Sequence, residues 1–252
     1  MMKISIVGDE AAFDQAASSR IISQIIEKRE SVIGLSTGRT TGNMHRLVVE
    51  QYRRMQFDVS RVTIFGLDEV MNVPRTYAGA CYTMLKTEII DGLELDDSHF
   101  LMLPTESEDW NTTCKHFEEE IDRRGGIDLL MLGLGENGHL GFNQPGTPFE
   151  SVTWTSQMNE ELEMRIRKET QLLSCIELGG VTLGIKNIMH ARRIVLVAKG
   201  VNKAEIVRKM LEGPVCTEVP ASILQLHPNC EFLLDEKAAQ FVKHLNSNKN
   251  ED

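Results

Sequence analysis

The feature that most constrains this chain is a rhythm. Seven short apolar runs, at 3–7, 31–36, 62–67, 99–103, 127–134, 193–198 and 230–234, alternate with longer amphipathic stretches. The run Ile127-Asp128-Leu129-Leu130-Met131-Leu132 is almost continuously apolar, as a strand covered on both faces is. The stretches at 9–28, 41–55, 79–90, 111–124, 202–211 and 236–245 repeat their apolar residues near the helical period. In the first, Ala12, Ala16, Ile21, Ile22, Ile25 and Ile26 form the stripe. Strand–helix alternation predicts an α/β fold, a mostly parallel sheet with helices on both faces and right-handed crossovers.

With 252 residues, 41% of them hydrophobic and 25% charged, the chain can bury a full core without staples. We expect one domain spanning 1–252, with no repeat and no linker. The exception to the rhythm is 143–182, which is polar and weakly periodic and carries a charged, exposed helix at 159–170. Such an excursion reads as a lid or binding segment. The last residues, 246–252, read as frayed. The first eight residues read as a strand rather than a signal peptide, and no window approaches the ~18 apolar residues that a membrane span needs.

Charge limits the partners. Lys plus Arg number 27 against 37 Asp plus Glu, a formal charge of −10. That surface repels nucleic acid and anionic lipid, so the expected partner is a small molecule. If the ligand is anionic, positive potential must be gathered in one place. The five cysteines, Cys81, Cys114, Cys175, Cys216 and Cys230, show no CxxC pairing. They read as free thiols of a reducing cytoplasm, with no structural zinc.

In an open parallel sheet the ligand lies beyond the carboxyl ends of the strands. Three turns there carry chemistry. Gly34-Leu35-Ser36-Thr37-Gly38-Arg39-Thr40-Thr41-Gly42 offers glycines, hydroxyls and a helix start, a setting that fits a phosphate or serves only as a tight connection. Leu67-Asp68-Glu69 places two acids at a strand end, for a general base or merely a cap. Gly133-Leu134-Gly135-Glu136-Asn137-Gly138-His139-Leu140-Gly141-Phe142-Asn143-Gln144-Pro145 runs from an apolar strand through closely spaced glycines to a histidine. Histidine moves protons near neutral pH, and Asn137 and Gln144 are placed to orient it. The other six histidines lack metal-ligand spacing and read as structural. Trp110 and Trp154 receive no role.

At these turns the chain resembles the glucosamine-6-phosphate and galactosamine-6-phosphate deaminase (isomerase) family, which is related to the 6-phosphogluconolactonases. Val181-Thr182-Leu183-Gly184 and Val219-Pro220-Ala221-Ser222-Ile223-Leu224-Gln225-Leu226-His227-Pro228 extend the resemblance and favour the amino-sugar branch. The resemblance implies a modified Rossmann-like sheet, no cofactor and no metal. It also implies aldose–ketose isomerisation with loss of ammonia from an amino-sugar 6-phosphate. Asp68 would shuttle a proton between C2 and C1, and His139 would open the pyranose ring, supported by Asn137 and Gln144. Ser36, Thr37, Gly38, Arg39, Thr40, Glu69 and Gly135 would surround the phosphate or sugar. A cytoplasmic homo-oligomer is expected.

Two departures stand out. Gln144 occupies a place where the deaminases usually have Glu, so His139 should be less basic here. The family's phosphate-binding lysine before the Thr-Leu-Gly-like segment is absent, since Glu177-Leu178-Gly179-Gly180 stands there. Arg165, Arg167, Lys168 or Lys203 would supply the cation. No Lys or Arg lies at Trp154-Thr155-Ser156, so activation by an N-acetylated sugar is not expected. The alternatives are a lactone hydrolase using only His139, and an impaired sugar-phosphate-binding protein.

Overall fold

A computed structural model describes residues 2–38, 40–158 and 160–242. Arg39 and the 246–252 tail lie outside the described residues, as does the end of the helix expected at 236–245. The first half of the chain runs β1 (Lys3–Val7), α1 (Glu10–Glu27), β2 (Val32–Leu35), α2 (Gly42–Met55), β3 (Thr63–Gly66) and β4 (Asp68–Met71). It continues through α3 (Cys81–Leu85), a π-helical turn (Lys86–Ile90), α4 (Asp91–Leu93), β5 (Phe100–Leu101) and α5 (Trp110–Arg123). The second half runs β6 (Leu129–Gly133), β7 (Trp154–Ser156), α6 (Glu160–Thr170), β8 (Gly179–Thr182) and α7 (Ile185–Met189). It ends with β9 (Ile194–Ala198), α8 (Ala204–Glu212), β10 (Cys230–Asp235) and α9 (Glu236–Ala239). Among the described residues no helix is long and apolar enough to cross a membrane.

The seven expected strands make one sheet, ordered β1-β10-β9-β6-β2-β3-β5, and every pairing in it is parallel. Its strands are apolar on both faces because both faces are covered. Leu130, Leu132, Leu196 and Phe232 join the core built with α5, α8 and α9. Their neighbours Leu129, Met131, Val195 and Leu233 join the core built with α1 and α2 on the other side. The period-2 alternation of a strand divides each apolar run between two cores.

The order also locates the crevice. From β2 the chain moves outward through β3 to β5, then returns so that β6 lies on the other side of β2 and leads to β9 and β10. The loops after β2 and β6 therefore leave at the point where the strand order reverses, where open α/β sheets bind ligands.

A second, three-stranded antiparallel sheet, β4-β8-β7, stands beside these loops. Its strands are too short, and its Gly179-Gly180 too poor in side chains, to show as a pattern in the sequence. Leu67 is the corner between the sheets. Its N–H donates to the Leu35 carbonyl, and its own carbonyl accepts the Leu183 N–H. The 143–182 excursion is thus partly regular. It supplies β7, β8 and α6, and α6 buries Ile166 against Val70, Val73, Phe142 and Leu178.

Gly180 is a packing requirement of this second sheet. A Cβ there would stand 2.1 Å from the Phe142 ring. Gly180→Ala should therefore destabilise the protein by about 1–3 kcal/mol, the usual cost of overpacking. Urea denaturation checks this, and an unchanged midpoint would mean that β8 does not seat on Phe142.

Candidate active site

The turns after β2 and β6 are tied together at the crevice. Ser36 Oγ accepts the Gly133 N–H at 2.9 Å, and the Ser36 N–H donates to the Met131 carbonyl. Beyond Ser36 the chain turns through Gly38, at φ 138°, whose carbonyl accepts the N–H groups of Thr41 and Gly42. Ser36, Thr37, Gly38 and Thr40 therefore lie between a strand end and the start of the 14-residue helix α2. That is the setting in which backbone N–H groups receive an anion.

Asp68 and Glu69 are neighbours on β4 with different surroundings. Glu69 is fully buried. Its carboxylate accepts the backbone N–H groups of Val70, Cys81 and Tyr82 at 2.7, 2.8 and 2.7 Å. Its carboxylate thus joins β4 to the start of α3. Burial raises its pKa, and the three N–H donors oppose the rise.

Asp68 faces the loop after β6. It pairs in register with Thr182 of β8. Gly141, at φ 59°, packs so closely that a Cβ would lie 2.5 Å from Thr182 Oγ1 and 3.1 Å from Asp68 Oδ2. Only glycine combines that backbone with that approach. The carboxyl is buried, and burial together with the negative Glu69 pushes its pKa up to about 7. A carboxylate poised near neutrality is suited to take up and return a proton.

His139 sits two residues before Gly141. Its Nδ1–H donates to Asn137 Oδ1 at 2.7 Å, and the same oxygen accepts the His139 backbone N–H. This fixes the neutral tautomer with its lone pair on Nε2. Gly135 makes room for the ring, since a Cβ there would stand 2.2 Å from Nδ1. Asn137 and Gln144 are the residues the sequence places to orient the ring, and of these Asn137 alone bonds it directly. Gln144 Oε1 accepts from Asn137 Nδ2 at 3.1 Å and acts on the imidazole through Asn137. Burial, then the positive charge of Lys203, push the His139 pKa down to about 4. The ring is thus less basic than an ordinary histidine, and burial is the main reason.

The cations expected from the sequence separate. Lys203, on the turn before α8, acts electrostatically on His139, and Asn202 beside it donates to Glu136 at 2.8 Å. Arg167 is engaged elsewhere, donating to Glu163 and to the carbonyls of Leu173 and Ile176. Arg165 stands on α6, 62% exposed, beside Glu169, and Lys168 is exposed on the same helix.

Four contributors were not legible as such. Asn143, fully buried, donates to the carbonyls of Leu140 and Leu183 and accepts from Trp154 Nε1 at 3.0 Å. Trp154 thus gains a role, joining β7 to the histidine loop. Thr182 borders Asp68, and Cys81 donates to it.

A family model described as "Glucosamine-6-phosphate isomerases/6-phosphogluconolactonase" matches residues 9–232. The chain belongs to this family. It is 34% identical over 241 residues to a glucosamine-6-phosphate deaminase of Clostridium botulinum (strain Loch Maree / Type A3), covering 94% of this chain and 98% of that one. It is 32% identical over 241 residues to the deaminase of Thermoanaerobacter pseudethanolicus, with coverage of 96% and 95%. A solved monomeric glucosamine-6-phosphate deaminase superposes with a TM-score of 0.88 at 29% identity, covering 95% of this chain and 99% of that one. The 6-phosphogluconolactonase from Trypanosoma cruzi, at 19% identity, covers 96% and 97% with a TM-score of 0.78, a likeness of fold.

The buried Asp68 has a consequence for stability. Its folded pKa of about 7 lies above that of an unfolded aspartate. Between those values the folded state holds the extra proton, so this group's contribution weakens as pH rises toward 7. Asp68→Asn removes the burden. The variant's melting temperature should exceed that of the natural protein by several degrees at pH 8 and by much less at pH 5. Equal differences at both pH values would show that Asp68 ionises normally.

Proposed function

We propose that the protein converts an amino-sugar 6-phosphate, glucosamine- or galactosamine-6-phosphate, to the ketose 6-phosphate and ammonia. The observation that carries this reading is that the buried carboxyl of Asp68 packs by Oδ2 against Gly141, in the same loop that holds the tautomer-fixed His139. The deaminases among its relatives support it. The lactonase alternative shares the family and the fold, but the solved Trypanosoma cruzi lactonase is only 19% identical.

His139 Nε2 takes the proton of the 1-hydroxyl and delivers it to the ring oxygen, opening the pyranose. Asp68 then removes the proton at C2, made acidic by the neighbouring C1 carbonyl, while a proton of the substrate's own ammonium group passes to the C1 oxygen, giving an enolamine. Asp68 returns that proton to C1, leaving a C2 iminium. Water adds at C2 and ammonia departs, so one water is consumed and the net change is hydrolytic. No electron carrier is needed, and no cofactor or metal enters the scheme. The neutral imidazole suits the first step, since Asn137 and Gln144 hold the ring without adding negative charge.

Ser36, Thr37, Gly38, Thr40 and the N-terminus of α2 receive the phosphate in this reading, with Lys203 as the cation. Its electrostatic reach to His139 supports that choice over Arg167. Gly135 serves by leaving space for the imidazole. Residues 1–252 act as one domain, and within 143–182 the helix α6 covers the site. A cytoplasmic setting accords with the unpaired cysteines. Self-association stays part of the proposal, beside a solved relative described as monomeric.

Ammonia release from the two amino-sugar phosphates, assayed side by side, tests the reading. One of them should turn over, with an acidic limb of kcat/KM near pH 7 set by Asp68, and Asp68→Asn should lose about 10³-fold or more in kcat. No release from either sugar by folded protein would reject the deaminase.

A further inference from the structure

Asp68 does not hold its position alone. Cys81, the first residue of α3, is buried, and its Sγ–H donates to Asp68 Oδ1 at 3.6 Å. Thr37 Oγ1–H in turn donates to Cys81 Sγ at 3.2 Å. The chain Thr37–Cys81–Asp68 therefore runs from the anion turn after β2 to the proposed base. Its middle member is pinned, because the Cys81 backbone N–H is held by Glu69 at 2.8 Å.

We propose that Cys81 is a positioning residue for Asp68: its thiol holds Oδ1, leaving Oδ2, the oxygen beside Gly141, to meet the substrate proton. The inference rests on the deaminase reading for its kinetic meaning, but the hydrogen bond it invokes is a property of the protein without substrate.

Several observations support it. The two carboxylate oxygens have different neighbours: Oδ1 has the thiol, and Oδ2 lies beside Gly141. A carboxylate with one oxygen held keeps the other aimed. Sulfur is a weak donor, so it steadies the carboxylate without binding it as strongly as an N–H would. Burial and the adjacent Asp68 and Glu69 hold the thiol's own pKa well above its ordinary value, so it remains a donor. The titratable groups that act on Asp68 are Glu69 on its own strand and Cys81 on α3. Its neighbours from β8 and the histidine loop, Thr182 and Gly141, do not titrate. Cys81 reaches Asp68 from outside β4, and its thiol favours the ionised carboxylate.

The test compares the natural protein with Cys81→Ala, Cys81→Ser and Thr37→Val. The Asp68 pKa is read without substrate from its carboxyl carbon resonance, and kcat, KM and the acidic limb of kcat/KM are read from ammonia release. In Cys81→Ala the Asp68 pKa and the acidic limb should rise together by about one unit, the effect of losing one donor to a charged group. There kcat should fall about tenfold while KM changes less than about twofold, as expected when positioning rather than binding is lost. Cys81→Ser, which keeps a donor, should restore both pKa values to or below those of the natural protein. Thr37→Val should shift the Asp68 pKa upward by less than Cys81→Ala does. An Asp68 resonance that titrates identically in the natural protein and Cys81→Ala, or a failure of Cys81→Ser to restore it, would overturn the proposal. Absence of ammonia release from the natural protein would reject the deaminase reading while the resonance still decides the role of Cys81.

Discussion

The site depends on a buried carboxylate that is satisfied by the backbone. Glu69 is fully buried and is spent on three backbone N–H groups, two of them at the start of α3. A buried carboxylate is costly unless its oxygens are satisfied. Once they are, the register of β4 against α3 is fixed. That fixes the neighbouring Asp68, which has one thiol donor and a position opposite Thr182. Of two adjacent acids, one is stabilised by donors and anchors the structure. The other is left nearly without them, and its raised pKa follows.

The same division appears across the crevice. The loop after β6 is held by contacts within the protein. Asn143 bridges two carbonyls and receives Trp154, Ser36 receives Gly133, and Gly135 gives the imidazole its space. Asn137 then needs only to fix the tautomer, and Gln144 needs only to hold Asn137. An uncharged partner is consistent with a histidine that works as a neutral base. The substitution of Gln for the family's usual Glu changes the charge behind Asn137, not a direct contact to the ring.

Much of this was legible in the sequence, for physical reasons. All seven strands of the parallel sheet announce themselves, because strands buried on both faces must be apolar throughout. The turns that carry Ser36, Asp68 and His139 follow from the strands, since ligands gather at strand carboxyl ends. The antiparallel sheet did not show. Asp68-Glu69-Val70-Met71, Trp154-Thr155-Ser156 and Gly179-Gly180-Val181-Thr182 are three or four residues each and carry no resolvable period. Nor can a sequence say which of two adjacent acids faces the ligand. That Glu69 turns to α3, and that Cys81 reaches Asp68 from thirteen residues away, depends on how the chain folds back after β4.

The central claim is that one carboxylate carries the proton between two carbons. It is tested by turning over glucosamine-6-phosphate (or its C4 epimer, whichever is the substrate) deuterated at C2 in ordinary water. The account predicts that early in the reaction deuterium divides between C1 of the ketose and solvent, and that Asp68→Asn neither transfers nor washes out the label. Exchange of the C2 label by Asp68→Asn at the rate of the natural protein would contradict it.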